Sequence, residues 1–263
     1  MTNTPAGKLP VTVCILCLNE ADRLRRCLAP LADFAEVIVL DSGSTDGSQD
    51  ICREYGVTLH EGPWLGFATQ RRKLFALASQ PWILWLDADE VVRPELLAEL
   101  KSLFAAGEPA KAAYRVNRLV IFEGREVRHG NWFPDRCIRL FRTDCWAMPE
   151  RAVHESLEIR GDIADLSGLL EHHTYRDWDD QRRRAEKYAA LWAEQAAAEG
   201  RRAGPLAGPL RALWRFLRGY ILRRGFLDGS LGFKVAMANG REVALKYRLL
   251  REHRRANNPE PRT

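Results

Sequence analysis

The sequence predicts an α/β fold with a mostly parallel sheet that becomes mixed, followed by a basic helical C-terminal extension. Three observations predict it. Short apolar, β-branched runs alternate with helix-patterned segments from residue 11 to about residue 105, the rhythm of βαβ units in a doubly wound sheet. After residue 110 the runs lengthen and turn half-polar, so the sheet is expected to become mixed. From about residue 177 the pattern is helical, interrupted between Gly200 and Pro209.

VTVCILCL (11–18) is a continuous apolar run and predicts a strand buried on both faces. Glu20 to Leu31 predicts a helix with Leu24, Leu28 and Leu31 on one face. EVIVLD (36–41) predicts the second strand, and Ser42 to Asp46 form a turn offering N-caps to a helix that runs to about Tyr55. VTLHE (57–61) is a third, short strand. Residues 67–79 predict a helix with Arg71, Arg72 and Lys73 in its first turns. WILWLD (82–87) is the fourth strand, and Pro94 opens a helix to about Ala105. YRVNRLVIF and RCIRLF predict longer, half-exposed strands.

The chain has 263 residues, 46% hydrophobic and 29% charged, ordinary values for a globular protein and unlike a disordered or collagenous chain. Charge breaks every apolar run short of the roughly 18–20 residues of a membrane span, and MTNTPAGKLP lacks the apolar segment of a secretory leader. Cys14 and Cys17 form a CxxC inside an apolar run, without the helix start of a redox pair or the second ligand pair of a zinc site. The six cysteines are therefore expected to be reduced thiols, largely buried, and the protein cytoplasmic. The net charge of +5 is unevenly spread. Residues 1–200 hold 25 basic and 31 acidic side chains, and residues 201–255 hold 14 and 3. This asymmetry sets the expected boundary at residue 200 and points to an anionic partner for residues 201–263.

Open α/β sheets bind ligands at the carboxyl ends of their strands. The first strand delivers Asn19 and Glu20 there, the second Asp41, and the fourth Asp87, Asp89 and Glu90. There is no GxGxxG and no GxxxxGK[ST], so neither a dinucleotide fold nor a P-loop is supported. An acidic rim repels phosphate unless a divalent cation intervenes. Carboxylates just past a buried strand can supply hard oxygen ligands to Mg²⁺ or Mn²⁺ bridging to a diphosphate. The plainer alternative is that Asp89 or Glu90 caps the next helix.

VTVCILCLNEADRL, VIVLDSGSTDGS and GFATQRRKLFALASQPWILWLDADE together resemble the family 2 inverting glycosyltransferases of GT-A fold. HGNWFPDRCIRLFR, VHESL, LEHHTYRDW and GYILRRGFLDGSLGF resemble the branch that builds the bacterial lipopolysaccharide inner core, β-1,4-glucosyltransferases acting on heptose. The resemblance implies a catalytic domain over residues 1–200. It implies that Leu18 and Glu20 lie beside the nucleoside, that Asp41 hydrogen-bonds the uracil, and that Arg71 meets base and phosphates. It also implies that Asp87 and Asp89 form the DxD holding ribose and metal. Arg72 stands where family members usually have Asn. His172, with His173 beside it, is implied as a late metal ligand, and imidazole is compatible with Mn²⁺. Implied partners are a UDP-hexose donor, UDP-glucose in this branch, and a lipid-linked oligosaccharide or lipopolysaccharide core acceptor.

Inverting transfer is one in-line displacement and needs one base. Glu155 in VHES and Asp135 in FPDR are the two candidates, with Glu155 favoured because it follows a predicted strand end and lies 66 residues beyond Asp89, a spacing the resemblance implies for the base. Trp132 and His129 are candidates for the acceptor side. In PLRALWRFLRGYILRR (209–224), Arg211, Arg215 and Arg218 share one face, while Leu210, Leu213, Trp214, Leu217 and Ile221 share another. Such a basic amphipathic helix suits an anionic membrane surface, so a peripheral location on the inner face of the cytoplasmic membrane is expected. A nucleic-acid-binding protein led by this tail leaves the acidic rim unexplained. A magnesium phosphatase would need its DxD on the first strand. A catalytically silent nucleotide-sugar binder has no reason to keep Asp41, Asp87, Asp89 and Glu155 together. No nucleic acid partner is expected.

Overall fold

The structure, a computed structural model, describes residues 4–149 and 157–257. The chain divides into two compact units, residues 1–118 with 135–173 and residues 119–134 with 174–263. The helix at 178–198 therefore groups with the C-terminal helices, where the sequence reading keeps it within residues 1–200.

The first unit alternates strands and helices as the apolar runs predict. In order these are β1 (Leu9–Cys17), α1 (Ala21–Leu28), β2 (Phe34–Asp41), α2 (Ser48–Glu54), β3 (Thr58–Glu61), α3 (Phe67–Ala76) and β4 (Trp82–Asp87). β5 (Glu90–Val92) and α4 (Pro94–Ala105) follow, then β6 (Ala113–Phe122), β7 (Arg125–Val127), β8 (Asp135–Arg142), β9 (Trp146–Ala147), β10 (Glu158–Ile159) and β11 (Ile163–His172). α1 stops three residues short of Leu31 because Pro30 cannot donate a helical hydrogen bond, and Ala29–Asp33 continue as a 3-10 turn. Leu24, Leu28 and Leu31 are buried as their spacing predicts.

The sheet order is β3-β2-β1-β4-β8-β6-β11-β5, with β7 on the far end of β6. β3, β2, β1 and β4 run parallel. β8 then pairs antiparallel with both β4 and β6, and β11 antiparallel with β5. This is the expected class, mostly parallel and then mixed. Alternate residues of β1 and β4 feed two cores. Val13, Ile15, Leu84 and Leu86 pack with Leu24, Ile51 and Leu96 of α1, α2 and α4. Cys14, Ile38 and Ile83 pack with Leu74 and Phe75 of α3 on the opposite face. Burial on both faces is why these strands read as unbroken apolar runs.

In the second unit the end of β6 pairs antiparallel with β7. Val120, Phe122 and Val127 form a core with Leu231 and Val235, against which Trp132, Tyr175 and Trp178 pack. α5 (Trp178–Ala198) is capped by Asp177, whose carboxylate accepts the Asp180 N–H at 2.7 Å. α6 (Ala207–Leu217) leads through a π-helical turn (Arg218–Leu222) to α7 (Gly229–Asn257). The break between α5 and α6 falls at the Gly- and Pro-containing stretch the sequence marks. Among the described residues no helix is long and apolar enough to cross a membrane.

Candidate active site

β1 ends between β2 and β4, with Cys17 opposite Asp41 and Leu16 opposite Asp87. The loops after β1 and β2 are stitched together. Asn19 takes a left-handed conformation at φ 55°, and its Oδ1 accepts the Thr45 N–H at 2.9 Å. Its own N–H donates to Ser44 Oγ at 2.8 Å, and the Ala21 N–H donates to Asp46 Oδ2 at 2.9 Å. Leu18 is exposed at this rim, and Glu20 accepts Arg23 Nη1 at 3.1 Å.

Asp41 is buried. Its Oδ1 accepts the N–H groups of Gly43 (3.0 Å) and Ser44 (2.9 Å) and Gln49 Nε2 (2.9 Å), while Oδ2 accepts the Ser44 hydroxyl. Burial pushes the carboxyl up, but the hydrogen bonds from Gln49, Ser44 and Gly43 outweigh it and hold Asp41 below the ordinary carboxylate range. It is a fixed anion that shapes the loop after β2.

The end of β4 is held by two arginines from neighbouring strands. Arg139 of β8 is buried, and its Nη2 donates to Asp87 Oδ2 at 2.8 Å and to Glu90 Oε1 at 2.5 Å. Arg118 of β6 reaches the same Glu90 oxygen at 3.2 Å. It also grips Asp135 Oδ2 through Nε at 2.9 Å and Nη2 at 2.6 Å. Burial pushes the fully enclosed Glu90 carboxyl above its usual value, partly offset by Arg139 and Arg118. Burial also works against the charge on Arg139, but Glu90 and Asp87 outweigh it and keep the guanidinium protonated.

Arg71 and Arg139 converge on Trp85, their guanidinium carbons 4.5 and 4.4 Å from the indole centroid. Arg71 also lies 5.2 Å from the Phe67 ring. Such stacking fixes a planar cation without neutralising it. Arg72 instead donates to the Met148 carbonyl at 3.1 Å, which makes it a tie between α3 and the segment after β9.

The β5–β11 pair sets His172 opposite Glu90. His172 Nε2 thereby lies 3.6 Å from Asp89 Oδ2, and Arg23 Nη1 lies 3.8 Å from the same oxygen. His172 Nδ1 is buried and has no hydrogen-bond partner among the described residues. His173 turns to Glu171 Oε2 at 3.2 Å. No group of three or more His, Cys, Asp or Glu that could hold a metal occurs among the described residues. Asp87, expected as a ligand, is turned toward Arg139. Ligands about 2.1 Å from one metal lie roughly 3–3.5 Å apart, so Asp89 and His172, 3.6 Å apart with the Arg23 cation beside them, would have to close slightly to act as two ligands of a divalent ion. A hard cation commonly takes one or two side chains and completes its shell with phosphate and water.

Glu155 lies outside the described residues. Asp135 stands at the start of β8 with Oδ2 committed to Arg118. Trp132 and His129 belong to the second unit, where Trp132 packs on Phe122 and Tyr175 and His129 Nδ1 meets Asp228 Oδ1 at 2.7 Å. A groove of about 680 Å³ between α5 and α7, flanked by Trp178, Arg182, Lys234 and Leu245, contains none of the rim acids.

The sequence reading missed Arg23, Arg118, Arg139 and the paired role of Glu90. Strand alternation gave no signal for Arg139, because β8 is irregular there: Leu140 pairs with Tyr114 and Ile138 with Arg115, which leaves Arg139 as an extra residue between them.

The family model described as Glycosyl transferase family 2 matches residues 12–165. The chain is 32% identical to the lipopolysaccharide core biosynthesis glycosyltransferase LpsC of Rhizobium meliloti, over 92% of this chain and 94% of that protein. It is 25% identical to an uncharacterized glycosyltransferase of Rickettsia typhi, over 90% and 89%. Among solved structures it is similar to residues 1–349 of S. aureus TarS in complex with UDP, with 15% identity, coverage of 94% and 92%, and a TM-score of 0.46. With more than half of its length matched by the family model and a relative similar over nearly its whole length, the chain belongs to glycosyl transferase family 2 and is a glycosyltransferase.

Proposed function

We propose that the protein is a metal-dependent, inverting hexosyltransferase that moves glucose from UDP-glucose to a heptose of a lipopolysaccharide core acceptor. It would act peripherally at the inner face of the cytoplasmic membrane. The observation that carries this reading is the similarity, over 92% of the chain, to a protein named for lipopolysaccharide core biosynthesis. The acid rim beside β1 and the Asp89–His172 pair supply chemistry that suits it.

In this reading Leu18, Glu20 and Asp41 line the nucleoside, and Arg71, stacked on Trp85, presents its charge to the diphosphate. Asp87 stays aimed by Arg139 and meets the ribose. Asp89 and His172 would hold Mg²⁺ or Mn²⁺, which when bound neutralises charge building on the leaving diphosphate. Glu155 takes the acceptor hydroxyl proton, and the freed oxygen attacks the anomeric carbon from the face opposite the diphosphate. The anomeric bond breaks with its electron pair going to the diphosphate oxygen, so the configuration inverts in one step. Asp135 is the alternative base, although one of its oxygens already accepts two N–H groups from Arg118.

Release of UDP from UDP-glucose with a heptose-containing core acceptor tests the reading. Asp89→Ala is expected to reduce turnover by at least about 10²-fold, as loss of one charge-stabilising group does elsewhere. Turnover unchanged in that variant would refute it. A thermal-shift comparison of UDP-, GDP-, ADP- and dTDP-sugars checks the base of the donor.

A further inference from the structure

Helix α6 packs with its small face and turns its large apolar face to water. A Cβ on Gly208 would lie 3.1 Å from Tyr247 Cβ, and one on Gly240 of α7 would lie 3.2 Å from the Ala212 carbonyl oxygen, so the two helices meet through small residues. Phe216 meets Phe233 edge-on at 5.8 Å, and the Arg211 guanidinium lies 5.1 Å from the Tyr247 ring. In contrast Leu206, Leu210, Leu213, Trp214, Ile221 and Leu222 are 52–67% exposed. Their spacing of three, four and seven residues places the α6 members on one stripe. The next turn adds the exposed Phe226 and Leu227. An ordinary surface helix buries its stripe against the core, so this one lacks its cover among the described residues.

Charge identifies the cover. Residues 200–227 contain seven arginines and no Asp or Glu. A second copy would bring two such surfaces together with no acid between them. A leaflet of anionic phospholipid offers both what the stripe needs and what the arginines need, acyl chains beneath a plane of phosphates. Arginine stems can lie along the apolar boundary while the guanidinium stays at headgroup level. We propose that α6 and the turn after it form an interfacial element whose apolar stripe enters an anionic leaflet, with Trp214 and the leucines as anchors. This deepens the membrane location given above and rests on that reading only for its place in the cell.

Co-sedimentation of the full chain with vesicles of phosphatidylcholine and phosphatidylglycerol tests it. The wild type is expected to bind, and to bind at least about tenfold more weakly to pure phosphatidylcholine vesicles and at high salt. The double variant Leu213→Glu, Trp214→Glu is expected to lose at least about tenfold in binding. Both side chains are exposed, so circular dichroism should be unchanged. Arg223→Glu with Arg224→Glu tests the charge separately and should weaken binding to the anionic vesicles alone. Equal vesicle binding by wild type and the leucine–tryptophan variant would overturn the proposal. So would a lipid-free dimer that this variant dissociates, in a protein that binds no vesicles. Failure of the wild type to bind vesicles while it still transfers sugar to a water-soluble acceptor fragment counts against the surface alone. Vesicle binding without any UDP-sugar turnover counts against the transferase reading alone.

Discussion

Arg139→Met removes a buried cation from beneath the end of β4 while keeping similar volume. In the native protein its Nη2 lies 2.8 Å from Asp87 and 2.5 Å from Glu90, and its guanidinium covers Trp85 at 4.4 Å. Without it, Glu90 has no exposed surface and keeps Arg118 at 3.2 Å as its ion-pair partner. Removing one member of a buried pair costs about 3–5 kcal/mol, because the remaining charge is left in a poor solvent. Against a typical total of about 5–15 kcal/mol, that loss should lower the urea midpoint by at least roughly 1 M. The pH dependence has a definite sign. The Glu90 carboxyl is already raised by burial, partly offset by Arg139 and Arg118, and loss of Arg139 raises it further. A carboxyl raised in the folded state favours folding at low pH, and this contribution is lost as pH climbs from the unfolded value through the folded one. The variant should therefore be closer to wild type at about pH 5 than at about pH 8. Adding Glu90→Gln should recover much of the loss at the higher pH, since it removes the stranded charge. Urea unfolding followed by tryptophan fluorescence reads all of this. A variant that unfolds at the wild-type midpoint at both pH values would refute the view that Arg139 neutralises this cluster.

Two further predictions concern the cores around the rim. Phe75 is buried and meets Trp85, Phe141 and Trp146 edge-on with centroids 5.8, 5.3 and 5.3 Å away. Phe75→Ala should cost about 3–5 kcal/mol in chemical denaturation and loosen the Trp85 seat of Arg71. Burial pushes the Cys17 thiol up to about 12 and the Cys52 thiol up to about 11, and it raises Cys14 and Cys27 as well. Burial raises Cys137 and Cys145 too, but these two are partly exposed, so a thiol reagent at about pH 8 should label them well before the four buried thiols of the folded protein. Rapid labelling of Cys14 or Cys17 would contradict their burial.

The parts of the fold that are local in sequence were the legible ones. β1, β2 and β4 lie where unbroken apolar runs stand, because strands covered on both faces cannot alternate. Asp41 and Asp87 follow from that reading, since each ends its strand. The partners of those acids were not legible. Asp87 meets Arg139 across 52 residues and Arg118 across 31, through antiparallel pairings that no local pattern announces. Glu90 reads as an acid beside a DxD, yet it belongs to a three-residue strand too short for periodicity to mark. That strand brings His172 to Asp89, a neighbour that the spacing of the histidines in the chain does not reveal. In α6 the two-faced pattern was visible. Which face packs was decided by Gly208, Ala212 and Gly240, small residues whose value lies only in close approach to another helix.

Calorimetric titration of the full chain with UDP, in the presence of Mn²⁺ and then of a chelator, tests the central claim most directly. UDP should bind with the ion present, lose most of its affinity on chelation, and bind at the chelated level in His172→Ala whether or not Mn²⁺ is added. Binding that is indifferent to the ion and to His172, or no binding at all, would contradict the assignment of Asp89 and His172 as the pair that holds the diphosphate's cation.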